Sequence, residues 1–196
     1  MVQQPERDEL KEAGIEPGSR LEKLTYNRSA EVVVAHFRRS RVGTLYLRKR
    51  SGSRYERIAH LTEHASYEDP VVASWAPVLI VNVREASGES SGIEWYGIAR
   101  VDLKSGQSAR VFCEGDLRLE APFHRAWVRE LHEAWADGSG VVCTMSFLRP
   151  PTEAEKERWR SRHGGELAGA GEHWICDLNI DARTYQRLAL LEGVHF

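Results

Sequence analysis

Tyr55-Glu56-Arg57-Ile58-Ala59 reappears late in the chain as Tyr185-Gln186-Arg187-Leu188-Ala189, and Ser108-Ala109-Arg110-Val111-Phe112 stands between them as a looser copy. Each copy follows an apolar run and a polar turn. A unit that repeats in this way cannot bury its own apolar face and has to stack on its neighbours. The interval from Arg57 to Arg110 matches that from Arg110 to Arg187 once an insertion of roughly 24 residues is removed. Trp75-Ala76 and Trp135-Ala136 also hold matching places, each just ahead of an apolar run.

Four short strands precede or include each copy. In the first unit they are expected at 24–26, 31–37, 43–48 and 55–61, with a turn at Ser51-Gly52. The second has 71–75, the most apolar run of the chain at 78–83, a long strand at 93–103 (one piece, or two broken near Gly97), the turn Asp102-Leu103-Lys104-Ser105-Gly106, and 109–113. The third starts near Val128, turns at 135–140, and continues with 141–147, 173–178 and 185–190. Pro150-Pro151 ends its second strand, and residues 152–162 read as a helix because Thr152 and Glu155 have capping-box spacing. A flexible loop at 164–171 follows.

Four antiparallel strands in series form the blade of a β-propeller, which buries both faces between neighbours. The expected fold is therefore all-β: a partial propeller of about three blades (21–62, 70–114, 127–190), with a helical insertion at about 150–171 and a polar tail over 1–20 whose residues 6–13 could form a short helix. Three blades are too few to close a ring. The open faces call for one of three solutions: further blades from a longer protein, a second copy forming a six-bladed ring, or a cover made by the tail and the insertion. The first two are favoured at this stage, which makes a homodimer an expected partner state.

With 196 residues, the chain has ample length for one core. A net charge of −2 argues against a dedicated nucleic-acid binder. No apolar run approaches the roughly 18 residues of a membrane span. The N-terminal stretch has no apolar signal-peptide core, and Cys113, Cys143 and Cys176 have no C-x-x-C spacing, so the expectation is a cytoplasmic protein with three half-buried thiols.

The third unit carries the order Glu133-Ala134-Trp135-Ala136-Asp137-Gly138-Ser139, then Asp177-Leu178, then Arg187-Leu188, which resembles the repeats of TolB-like propellers. The second unit departs from it, since Ser74-Trp75-Ala76-Pro77 lacks the Asp-Gly. Phe112-Cys113-Glu114-Gly115, Trp127 and the run from His132 to Ser139 resemble a segment of oligogalacturonate lyases. That resemblance implies metal-dependent β-elimination of pectin fragments, with manganese as cofactor and His132 as first metal ligand. A metal there would neutralise a uronate carboxylate and acidify the adjacent proton. The family's other ligands come from a later blade. His195 is the only histidine after the third unit, and its surroundings do not match.

The remaining candidates read as structure. Gly88-Glu89-Ser90-Ser91-Gly92 fits G-x-S-x-G, but strand rather than helix follows it. Gly169-Ala170-Gly171 lacks the third glycine of a dinucleotide loop. His60 and His64 lie off any helix, and the arginines from Arg38 to Arg57 read as a solvated blade edge. Most of the six tryptophans read as packing between blades, with a sugar-stacking platform as the other use. The expected function is a non-catalytic propeller module that binds a protein or an acidic oligosaccharide. The lyase-like enzyme, or its inactive remnant, is the alternative.

Overall fold

The computed structural model describes residues 13–49, 54–58, 61–62, 65–86 and 93–195. The strands are β1 (Arg20–Asn27), β2 (Val32–Arg39), β3 (Val42–Lys49), β4 (Glu56–Arg57), β5 (Ala65–Val72), β6 (Val78–Ala86), β7 (Ile93–Asp102), β8 (Ser108–Cys113), β9 (Arg125–Ala134), β10 (Gly140–Arg149), β11 (Ala170–Asn179) and β12 (Thr184–His195). They form three four-stranded antiparallel sheets in simple meander order: β1 to β4, β5 to β8 and β9 to β12. The fold is an all-β stack of three propeller-type blades, as the repeat predicts. Arg57, Arg110 and Arg187 each fall in the fourth strand, opposite Tyr46, Ala99 and Cys176 of the third.

The burial pattern of β6 shows why the blades stack. Leu79, Val81 and Val83 join Val32, Val34 and Leu45 in the core between the first and second sheets. Ile80, on the opposite face, joins Val141, Met145 and Phe147 between the second and third. A strand covered on both faces needs apolar residues at both parities. In β10 only Val141, Cys143, Met145 and Phe147 face the neighbouring blade. Thr144 and Ser146 alternate to the other side of the sheet, where both are buried and bonded to His132 and His173.

The turns joining first to second strands link the blades. The Trp75 N–H donates to the Ala136 carbonyl at 2.8 Å. Asn27 Nδ2 donates to the carbonyls of Ala73 and Ala76 at 2.8 and 2.9 Å. The outer face of the first sheet, with Val33, Ala35 and Phe37, packs against Ala13 and Ile15. A segment just before β1 thus covers one end of the stack. A head-to-tail ring of two copies would have to displace it.

The insertion forms α1 (Glu153–His163). Thr152 and Glu155 make the expected capping box, and Gly164 closes the helix at φ 72°. Arg149 grips the Glu155 carboxylate through two bonds of 2.8 and 2.7 Å, which holds that carboxyl well below its usual range. The helix buries no side chain, so it does not serve as a cover. Among the described residues no helix is long and apolar enough to cross a membrane.

Several expectations need correction. The fourth strand of the first unit shrinks to Glu56–Arg57, because Tyr55 and Ile58 turn into the core at 4% and 2% exposure. β5 begins at Ala65, so the second blade starts before residue 70, and Trp75 lies in the turn after it. The third blade starts at Arg125. β7 runs unbroken through Gly97, which agrees with the one-piece reading of 93–103. β11 takes up the end of the expected 164–171 loop. Cys143 and Cys176 are fully buried register partners rather than half-buried, and Cys113 is intermediate. Burial pushes the Cys176 thiol up to about 12 and Cys143 higher still. Trp75 is 82% exposed rather than packed between blades. The expected helix at 6–13 falls outside the described residues except for Ala13, which lies in a turn.

Near the contact of the first two blades, His36 is 3% exposed and donates from Nε2 to the Tyr67 carbonyl at 2.9 Å. Burial holds its pKa below the ordinary value, opposed by that bond and by Glu22, and assisted by Arg38 and Lys23. The unfolded chain therefore takes up this proton first as pH falls. The His36 contribution is complete above about pH 6.5. It drains away below that until folded His36 itself protonates. Denaturation between pH 8 and pH 5 should show wild type losing more stability than His36→Gln, and parallel curves would refute the assignment.

Candidate functional site: a charged cleft between blades

β5 contains a break in its pairing with β6: the register shifts between Glu68 and Val71, leaving Asp69 and Pro70 out of step. Asp69 sits at φ 48°, a left-handed conformation in a residue that precedes proline. Such backbone costs of order 1 kcal/mol and is retained where the surroundings over-determine it. The bulge directs Glu68 and Asp69 into a cleft of about 550 Å³ between the second and third sheets. Arg84 of β6, Trp127 to Glu130 of β9 and His173 of β11 complete its principal walls.

Glu68 is 4% exposed and pairs with Arg84 at 2.8 Å. Burial raises its pKa, and Arg84 opposes the rise. Asp69 is also raised, first by burial and then by Glu130 across the cleft. Among the described residues, neither Asp69 nor Glu130 has a cation within ion-pair distance. Arg38, at the rim, is engaged by Glu22 at 2.9 Å.

His173 is 6% exposed and is fixed at both nitrogens. Arg129 Nη1 lies 2.5 Å from Nε2, and Ser146 Oγ lies 2.8 Å from Nδ1. A guanidinium can only donate, so Nε2 is the acceptor and the proton resides on Nδ1. Burial and then Arg129 hold the ring neutral, against a smaller pull from Glu192.

His132 does not line this cleft. It lies at a second irregularity, where the β9–β10 register shifts, and is exposed to solvent. Its Nε2 contacts Thr144 Oγ1 at 2.7 Å, and Thr144 lines the cleft. Among the described residues no three His, Cys, Asp or Glu side chains are grouped to hold a metal. An imidazole engaged by a threonine hydroxyl, without two further donors, does not fit a manganese site. The side chain of His195 lies outside what is described, as do His60, His64 and the 88–92 loop. The arginines from Arg38 to Arg57 disperse: Arg38 pairs with Glu22, Arg39 with Glu16, and Arg48 lies over Tyr55.

Sequence reading missed Glu68, Asp69 and Arg84. The available signal was charge in the wrong place: an acidic pair inside 65–72, followed by proline, and an arginine ending the most apolar run of the chain. Removing the strain at Asp69 should raise stability. Asp69→Gly is expected to gain about 1 kcal/mol, since glycine accepts the left-handed backbone and a half-buried carboxyl without an ion-pair partner is lost. A lower urea midpoint for the variant would contradict this. No protein-family model matches the chain, and no curated protein shows a significant match to it.

Proposed function

We propose that the chain is a non-catalytic binding module of propeller type, which receives a small charged ligand in the cleft between its second and third blades. The observation that carries this reading is the strained, acidic bulge at Glu68-Asp69, beside the ion pair of buried Glu68 with half-exposed Arg84. Charges fixed in advance on sheet strands are suited to recognition, because little ordering remains for the ligand to impose. Two imidazoles meet a hydroxyl, His173 at Ser146 and His132 at Thr144. His173 has its Nε2 taken by Arg129 and its Nδ1 proton directed at Ser146, so it is no base for that hydroxyl. Among the described residues no acid orients the other nitrogen of His132, so the triad logic is incomplete. Three free thiols fit a reducing compartment, and we extend the reading to a cytoplasmic location.

The test is a thermal-shift panel of cationic, anionic and neutral amino compounds and sugars, with wild type and Trp127→Ala. At least one chemical class should raise Tm in wild type and not in the variant. In parallel, trigalacturonate with manganese should show no growth of ultraviolet absorbance. Product formation abolished by His132→Ala would replace this reading with the lyase. A panel without any stabilising compound would remove the binding site.

A further inference from the structure

We propose that the free edge of β12 pairs with β12 of a second copy, antiparallel about a two-fold axis at Leu190, so that two third sheets become one. The pairing needs no ligand in the cleft, although Leu191 and Glu192 also line it. Among the described residues β12 pairs with β11 alone. It is the longest strand, at 12 residues, and Leu188, Leu190 and Leu191 along it are each more than half exposed. The other outer edges are blunted: β4 has two residues, both charged, and β8 has six, with Arg110 exposed among them. A long edge with an uncharged run, Leu188-Ala189-Leu190-Leu191, is a template for a further strand.

The symmetry of the strand selects a second copy as the occupant. A two-fold axis normal to a sheet keeps every side chain on its own face, so a strand can pair with itself only where its faces repeat symmetrically about the axis. Arg187, Leu190 and Gly193 lie opposite Cys176, Trp174 and Glu172 of β11, which places all three on one face. Register shifts leave Leu188 and Leu191 as the extra residues. Bulges commonly spoil an edge, but here one falls on each side of Leu190 at the same spacing. With the axis at Leu190, that residue meets its own copy, Arg187 meets Gly193, and Glu192 meets Leu188. No like charges are opposed, whereas an axis at Arg187 or Glu192 would oppose them. Pairing along the strand supplies roughly ten backbone bonds, the number of a standard interface, with little apolar area, so micromolar affinity is expected. A head-to-tail ring of two would displace Ala13 and Ile15, and edge pairing leaves them in place.

The test is sedimentation velocity of the full chain from about 1 to about 100 µM, in which the average mass should rise from one chain toward two. Leu190→Lys sets two ammonium groups against each other at the axis and should weaken association about tenfold or more. Val42→Lys, at an exposed position of β3, should leave it unchanged, and circular dichroism should show both variants folded. In a Cys113→Ser background, Leu190→Cys should give a covalent dimer on mild oxidation, since Cys143 and Cys176 are buried. Trp75→Cys in that background should not. A monomer throughout overturns the proposal and leaves the edge to a strand of another protein. A dimer that Leu190→Lys leaves intact overturns it in favour of packing between blade faces. Association that Leu190→Lys abolishes, without the Leu190→Cys cross-link, overturns the axis.

Discussion

Gly43→Ala is expected to destabilise the protein by about 3 kcal/mol or more, a large share of the 5–15 kcal/mol that holds a typical domain folded. A Cβ at this position would lie 1.9 Å from the Tyr67 carbonyl oxygen and 2.6 Å from His36 Nε2. The first contact is with backbone, and Tyr67 is itself paired to Val83 within the second sheet. No rotamer change can relieve it. The first sheet must move away from the second, and two buried bonds and one partly buried bond lie at that seam. The Gly43 N–H donates to Ser66 Oγ at 2.8 Å, Ser66 Oγ donates to the Arg41 carbonyl at 3.2 Å, and His36 donates to Tyr67. Each buried group left unpaired costs about 1–3 kcal/mol. Gly115→Ala, with open space around its Cβ, is the control and should stay within about 0.5 kcal/mol of wild type. A Gly43→Ala urea midpoint equal to that of the control would mean the blades are not seated this closely.

The seam at Gly43 also marks what a sequence conveys. The repeat of Tyr55, Arg110 and Arg187 segments located all three fourth strands, because blade stacking imposes one hydrophobic rhythm on every unit. The run 78–83 announced a strand buried on both faces for the same reason. Thr152 and Glu155 announced the helix, because a capping box is complete within four residues. The failures share a cause as well. The shortening of β4 depends on Tyr55 and Ile58 finding space in a core built by other segments. The left-handed Asp69 depends on β5 bulging between β6 and β9. Trp75 carries the residue type of a packing anchor, yet its backbone is held from both sides, its N–H by the Ala136 carbonyl and its carbonyl by the Ser29 hydroxyl, and the indole is directed outward. Local rules predicted local structure. The cleft exists only after sheets have docked, so its charged residues looked like ordinary strand residues in the one-dimensional pattern.

The second large effect is expected at Asn27, which is 1% exposed and belongs to the first blade while bonding chiefly to the second. Its Nδ2 reaches the carbonyls of Ala73 and Ala76, and its Oδ1 accepts the Ala30 N–H at 2.7 Å. One side chain therefore closes its own turn and ties that turn to the next blade. Asn27→Ala leaves two carbonyls and one N–H without their partner and opens a small void, for an expected loss of about 3 kcal/mol. Asn27→Asp separates the two functions. The carboxylate still accepts from Ala30, but it presents oxygen to two carbonyl oxygens, so the loss should match or exceed that of alanine. Ser29→Ala removes the exposed bond from Ser29 Oγ to the Trp75 carbonyl at 3.1 Å and should cost under about 0.5 kcal/mol. Hydrogen exchange locates the damage: in Asn27→Ala, protection should fall in both 28–31 and 73–77, while β10 and β11 keep theirs. If only 28–31 loosens, Asn27 serves its own turn alone, and the first blade is held to the second by apolar packing and the Gly43 seam.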